Sequence, residues 1–152
     1  MYVKIKTNQV VTNSIKNVGN TTTWGCAANV PGTSTDFGTG AANTAAIIAA
    51  NCSTTVTAAK LCNDYTITDN GTTYSDWYLP SPDELRKFYD NRIAIGNFGG
   101  AICETYVSSA QLPTLPDKYY TIYAHTSYPG QFSSATKSTI NPYCGVRAVC
   151  SF

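Results

Sequence analysis

The stretch YSDWYLPSPDELRKFYDN, from Tyr74 to Asn91, constrains the fold of this chain more than any other. Ser81 is a favoured N-cap residue, because its side-chain oxygen accepts a hydrogen bond from a free amide of the first helical turn. Pro82 stands at the first helical position, where its missing N–H costs nothing. Glu84 follows Ser81 by three residues and completes a capping box. The sequence therefore predicts a helix from Ser81 to about Ile93.

The residues around this helix start predict a buried corner. Leu85, Phe88 and Tyr89 fall at i, i+3 and i+4, so they share one apolar helix face. Upstream, Trp77 and Leu79 alternate with more polar neighbours, as in a short half-buried strand. No nucleophile or activated base lies in the segment, so its predicted role is structural. The residues expected to build the corner are Trp77, Leu79, Pro80, Ser81, Glu84 and Leu85.

Sparse charge limits the partners that this chain can bind. The 152 residues are enough for one domain with a sizeable core. Charged residues make up 12% of the chain and the net charge is +1, whereas a nucleic-acid binder needs clustered Lys and Arg to neutralise phosphates. No apolar run is long enough to cross a bilayer. The expected partners therefore include neither nucleic acid nor a membrane interior.

The start of the chain, MYVKIKTNQV, lacks the apolar segment of a secretory signal. The chain is therefore expected to be a mature or excised fragment, or to reach its destination by assembly.

Six cysteines are present, and none lies in a CxxC pair, which disfavours a structural zinc site. An even count in a chain rich in Tyr, Thr and Asn indicates an oxidising, extracellular setting with at least one disulfide. Several free thiols in the core are an equally weighted alternative. Cys144 and Cys150 on one extended strand would lie about 20 Å apart, beyond the reach of a disulfide.

The pattern along the chain predicts an α+β domain. Residues 1–20 form a lead-in strand or linker, and residues 21–152 form the domain. Two short helices are expected in AANTAAIIAANCS, capped near Asn43 or Thr44, and in TVTAAKLCNDYTI. A turn at Asn70-Gly71 precedes the corner. The strands ETYVSS, KYYTIYAH and CGVRAVCSF form a small antiparallel sheet in the second half. Ser, Thr, Gly and Pro between Tyr123 and Tyr143 predict a long irregular loop.

Residue types that carry catalysis are not arranged for it here. His125 is the one histidine of the chain, and no carboxylate lies beside it in sequence. Ser108 and Ser109 lack the flanking glycines of a nucleophile elbow. There is no phosphate loop or dinucleotide fingerprint, and Asp83 and Glu84 are explained by helix capping. The sequence predicts no catalytic residue, metal ligand or cofactor, and therefore no enzyme.

The C-terminal third is rich in aromatic and small polar residues, the composition of an antibody-like recognition surface. Tyrosine supplies a large contact area at low entropic cost, and Ser and Asn supply adaptable hydrogen bonds. In a sheet about half of such tyrosines would instead face the core, and this alternative stays open for Tyr119 to Tyr123. The residues predicted to bind a ligand are Tyr119, Tyr120, Tyr123, His125, Tyr128, Phe132, Asn141 and Tyr143.

The segments WGC, FGTGAANT, AAKLCNDY, DWYLPSPDEL, YVSS and GVRAVCSF follow one another in an order that resembles a bacterial and phage domain family. This is the DUF1566 family, also described by the C-terminal domain of the Legionella collagen-like adhesin. The resemblance covers residues 24–152, although Val107 to Ser109 stand where the family often has Trp-Ser-Ser. It implies a variant of the C-type lectin fold, a compact module with irregular loops on one face.

The resemblance implies a non-enzymatic binding domain displayed on a cell surface or virion. It would recognise a glycan or protein on a host or neighbouring cell, as a phage tail fibre or bacterial adhesin does, within a homo-oligomer or larger assembly. The alternative is a structural module of a virion, pilus or other surface polymer. An enzyme related to the formylglycine-generating family is the least favoured interpretation.

Arg147 is the one charged residue of the last predicted strand. It belongs to the expected structural set, where it either pairs with Asp83 or Glu84 or faces water. The water-facing position is favoured, because arginine is seldom buried.

Overall fold

A computed structural model describes residues 3–4, 10–15, 22–51, 56–95, 105–124, 130–138 and 144–151. Side chains are described from residue 22 onward, except at position 151. Within these ranges the chain forms four helices and two sheets, which confirms the α+β class. The helices are α1 (Gly40–Ala49), α2 (Ala58–Asn63), α3 (Pro82–Asp90) and α4 (Arg92–Ile95).

The main sheet has six strands in the order β1-β2-β8-β5-β6-β7. Strands β5 and β8 pair in parallel, and the other neighbours pair antiparallel. A two-stranded hairpin, β3-β4, stands apart from it. The strands are β1 (Val3–Lys4), β2 (Val10–Ile15), β3 (Ile67–Asp69), β4 (Thr72–Tyr74), β5 (Thr105–Gln111), β6 (Lys118–Tyr123), β7 (Phe132–Thr136) and β8 (Cys144–Ser151).

This sheet differs from the small antiparallel sheet that the sequence predicts. Strand β2 from the lead-in segment pairs with β8 along its whole length, so the sheet draws on both halves of the chain. The parallel pairing of β5 with β8 was also not predicted. Strands buried on both faces carry the same apolar pattern whichever way their neighbours run, so the pattern could not show the direction.

Helices cover both faces of the sheet, and each face has its own core. On one face α1 and α2 pack around Trp24, Val107 and Val146. On the other face α3 and α4 pack against Tyr106 and Ile122. The second face is called the α3 face below.

The capping box and the buried apolar residues of the predicted corner are confirmed, although the helix ends at Asp90 and not near Ile93. Ser81 caps α3, with its side chain accepting from the Glu84 amide, and the Glu84 carboxylate accepts from the Ser81 amide at 2.7 Å. Trp77 and Leu79 are buried. Leu85, Phe88 and Tyr89 are buried on the α3 face as well. The expected strand before Pro80 is reduced to a single bridge between Tyr78 and Val149.

Helix α1 begins earlier than the sequence predicts. Its N-cap is Thr39, and Asn43 lies inside the helix, fully buried. The Asn43 side chain exchanges hydrogen bonds with the backbone of Ser34 and donates to the Ser109 hydroxyl at 3.0 Å. Asn43 therefore braces a loop against β5 instead of capping the helix, and the predicted cap near Asn43 or Thr44 is wrong.

The Asn70-Gly71 turn and the second helix are confirmed. Asn70 and Gly71 have φ angles of 49° and 81° and join β3 to β4, as a two-residue hairpin turn with two left-handed residues requires. Helix α2 is capped by Thr57, whose side chain accepts from the Lys60 amide.

The prediction of one long irregular loop between Tyr123 and Tyr143 is wrong for its middle part. Residues Phe132 to Thr136 form strand β7, which pairs with β6. The strand sequence FSSAT has few apolar residues. This segment is a strand because its backbone pairs with β6 at the edge of the sheet, and not because it carries an apolar pattern.

The prediction that Arg147 faces water is also wrong. Arg147 is 2% exposed, and its guanidinium carbon lies 5.7 Å from the centre of the Tyr106 ring. It points to the α3 face together with Val149, while Val146 and Ala148 point to the opposite face. Alternation along a fully covered central strand leaves no water-facing position, so the charge is held against an aromatic ring.

Trp77 tests whether the corner is scaffold. Its ring meets Tyr65 edge-on at 5.1 Å, and its indole N–H donates to the Tyr74 carbonyl at 3.0 Å. We expect Trp77→Ala to lower the free energy of unfolding by about 3–5 kcal/mol, because a buried ring is replaced by a cavity. Chemical denaturation measures the change. The matched control is Ile93→Ala, at a side chain that is 90% exposed. A loss below about 1 kcal/mol at Trp77 would refute the scaffold role.

Candidate ligand-binding face

Strand β6 sorts the predicted ligand-binding tyrosines onto opposite faces of the sheet. Tyr119 is fully buried and stacks on Trp24 with ring centres 6.0 Å apart, so it is part of the core. Tyr120 lies on the α3 face, two residues from Ile122, and is half-buried. Tyr123 shares the opposite face with Tyr119 by alternation. Of the three, Tyr120 alone reaches the α3 side of the sheet.

Phe132 has 41% of its surface exposed, and it lies on strand β7 and not in the predicted loop. It lies opposite Ile122 in the β6–β7 ladder, and its ring meets Tyr120 edge-on at 6.4 Å. The four remaining predicted ligand residues lie outside the described residues: His125, Tyr128, Asn141 and Tyr143.

The β6–β7 ladder extends this pair of aromatic rings into a small surface. Position by position, Tyr120 faces Ser134 and Lys118 faces Thr136. Ser134 and Thr136 are exposed, and Lys118 is half-buried. Together with Arg86 of α3 these residues form what we call the β6–β7 face: Arg86, Lys118, Tyr120, Phe132, Ser134 and Thr136.

Arg86 closes the side of this face next to α3. Its guanidinium carbon lies 4.9 Å from the centre of the Phe132 ring, within the range of a cation–π contact. Gly130 makes the close approach possible. A Cβ added at Gly130 would lie 2.7 Å from the Tyr89 ring and 3.1 Å from an Arg86 Nη atom. With a φ of 70° as well, position 130 is suited to glycine alone.

Sequence reasoning missed Arg86, Lys118, Ser134 and Thr136 as members of this face. Arg86 follows Leu85 directly and so borders the apolar stripe of α3. This position could have indicated from the sequence that Arg86 lies beside the sheet. Ser134 and Thr136 alternate with Phe132 in steps of two, the spacing of one strand face. That spacing was hidden because the segment looked like a loop.

A second feature on the opposite face is a buried lysine. The Lys137 ammonium lies 4.5 Å from the centre of the Trp24 ring. It donates to the Ala28 carbonyl at 3.0 Å and to the Gln111 side-chain oxygen at 2.7 Å. Gln111 also accepts from the Val30 amide and donates to the Asn29 side chain. The lysine therefore joins the end of β7 to the loop around residue 28 and to β5.

Burial lowers the pKa of the Lys137 ammonium to about 8, an effect that the Asp117 carboxylate partly opposes. Two acceptor oxygens and an aromatic ring compensate the buried charge in place of an ion pair. Because all three contacts join parts of the protein's own framework, we assign Lys137 a structural role.

The lysine makes stability depend on pH. Between pH 8 and 10.5 the unfolded chain holds more protons at Lys137 than the folded protein does, so the free energy of unfolding rises with pH. Below pH 8 both states hold the proton, so this increase in the free energy of unfolding is absent. We expect wild type to gain stability relative to Lys137→Met across the interval, measured by urea denaturation at several pH values. A difference between the two proteins that stays constant with pH would contradict the lowered pKa of Lys137.

The described cysteines are not arranged as nucleophiles. Cys62, Cys144 and Cys150 are buried and form no disulfide. Burial raises the pKa of the Cys62 thiol far above its usual range. Burial, and then hydrogen bonding to the Asp76 carboxylate at 3.0 Å, raise the pKa of Cys150 to about 12. A reactive thiol needs the opposite shift.

Cys26 is not one of these three thiols, and it is the described cysteine that we assign to a disulfide. We predict that the mature protein carries this disulfide. Alkylation without reductant followed by intact mass measurement should then modify at most four of the six cysteines. Modification of all six would show that the chain is fully reduced.

No group of three His, Cys, Asp or Glu side chains in the described part of the chain is close enough to hold a metal ion. Among the described helices, none combines the length and the apolar character that crossing a bilayer requires.

Comparisons with known proteins give no relative for this chain: no protein-family model matches it, and neither a curated protein nor a solved structure is significantly similar. The function of this chain is therefore inferred from the geometry of the β6–β7 face.

Proposed function

We propose that this protein is a non-enzymatic binding domain and that the β6–β7 face is its contact surface. The observation that carries the proposal is the exposed Phe132 ring, held between Arg86 and Tyr120 on a paired strand. A large apolar ring that stays exposed on an ordered strand, between an aromatic and a cationic side chain, is typical of recognition surfaces.

The chemistry of the face suits a sugar better than an apolar ligand. Phe132 and Tyr120 present flat apolar surface, on which the C–H face of a sugar ring can stack. Ser134 and Thr136 project from the same side of β7 and offer hydroxyl groups as donors and acceptors. A rigid sheet holds these groups in place before binding, which lowers the entropic cost of association.

The broader setting is proposed on the sequence resemblance. A DUF1566-like domain with a C-type-lectin-like fold would be displayed extracellularly, on a cell surface or virion, as part of a homo-oligomer or larger assembly. The remaining predicted ligand residues adjoin the face in sequence. His125 and Tyr128 belong to the connection between β6 and β7, and Asn141 and Tyr143 precede β8.

A glycan array with Phe132→Ala tests the proposal. We expect wild type to bind at least one class of oligosaccharide and Phe132→Ala to bind it about tenfold or more weakly, since a stacked ring is lost. Ile93→Ala serves as control, because it removes an apolar side chain that is 90% exposed and outside the face. Thermal melts check that both variants stay folded. Equal binding by Phe132→Ala and wild type would remove the β6–β7 face as the site.

One observation favours the assembly module as a second candidate. Strand β7 is the last strand of the sheet in the described part of the chain, and edge strands are ready sites for pairing with another chain. Under this alternative Phe132→Ala would change the oligomer mass in sedimentation and leave glycan binding unaffected.

A further inference from the structure

The β6–β7 face carries a cation whose charge is not neutralised by any described residue. Asp83 lies three residues before Arg86 and Asp90 lies four residues after it, both at spacings that allow helical ion pairs. Neither forms an ion pair with Arg86 in the described part of the chain. Lys60 and Asp64 do pair at 2.7 Å with the same i,i+4 spacing. Arg86 instead lies over Phe132.

The other cation–aromatic contacts among the described residues are internal. They are the contacts of Lys137 with Trp24, of Arg147 with Tyr106 and of Arg92 with Tyr89. In each of them the aromatic ring is buried. In the contact between Arg86 and Phe132 the ring is exposed. Stacking occupies one flat side of a guanidinium group and leaves its N–H edge able to donate. A positive donor group and an exposed ring therefore stand side by side at the surface.

We propose that the ligand is a sugar bearing a single carboxylate, such as a uronic or sialic-type residue. This inference rests on the proposed function of the β6–β7 face. The guanidinium fork of Arg86 matches a planar carboxylate and binds it through two parallel hydrogen bonds. Phe132 and Tyr120 stack against the sugar ring that carries this carboxylate.

A highly sulfated polymer fits this face less well. Such a polymer needs a row of cations, because its affinity comes from many neutralised charges. The face has a second cation, Lys118, but it lies on β6, whereas Arg86 lies on α3. The Arg86 fork holds one acidic group through two parallel hydrogen bonds, and two cations on different elements are not the row that a polyanion requires.

The experiment compares acidic oligosaccharides with the same compounds after reduction of the carboxyl group to an alcohol. Binding of each pair is measured by calorimetry to wild type, Arg86→Gln and Lys87→Gln. Lys87 is the adjacent helical position and is exposed, so Lys87→Gln makes the same change of charge outside the face. We expect wild type to bind an acidic form about tenfold or more tightly than its reduced form. Arg86→Gln should lose this preference, and Lys87→Gln should retain it.

Each other outcome has a separate meaning. Equal binding of both forms by wild type would overturn the carboxylate inference and leave the binding function standing. Loss of both forms in folded Arg86→Gln would assign Arg86 a packing role and also overturn the inference. A preference for sulfated polymers would replace the single-carboxylate ligand by a polyanion. Failure of folded wild type to bind any sugar would refute the proposed function itself.

Discussion

The irregular segment at Ser108–Ala110 of β5 is the constraint on which the rest of the structure depends. Val107 pairs with Thr121 and Gln111 pairs with Tyr119, so three residues of β5 stand opposite one residue of β6. Their backbone groups bond elsewhere. The Ser109 amide donates to the Pro80 carbonyl, and the Ser108 carbonyl accepts from the Trp24 indole, both at 2.8 Å. One bulge thus joins the capped corner, the segment at residue 24 and the sheet.

The bulge also positions the β6–β7 face. The Ser108 hydroxyl donates to the Tyr120 carbonyl at 2.8 Å and replaces a ladder bond that the bulge removes. The Tyr120 backbone is thereby fixed while its side chain stays on the α3 face. The neighbouring Tyr119 packs on Trp24, whose indole is tied to the same bulge. The β6–β7 face at the edge of the sheet is therefore held by contacts from the opposite side of that sheet.

Features with a local cause were predictable from the sequence, and features with a tertiary cause were not. The Ser81–Glu84 capping box and the Asn70-Gly71 turn are local, because a few neighbouring residues determine them. The burial of Arg147 depends on partners remote in sequence, which no local pattern reveals. For the candidate site, alternation predicted that some of the tyrosines would face the core. Register alone decides that Tyr119 is buried and Tyr120 is not.

The chain has 12% charged residues, and two of those that it buries, Glu84 and Lys137, are satisfied by hydrogen bonds and by an aromatic ring. The Glu84 carboxylate accepts from a backbone amide and from the Tyr78 hydroxyl. Lys137 uses carbonyl oxygens and the Trp24 ring. In this protein an aromatic ring is thus a regular partner for a cation, and where both are buried the contact serves the fold. The same contact built by Arg86 at the surface leaves its donor edge unsatisfied by the described residues, which is the property that a binding site for an anionic group requires.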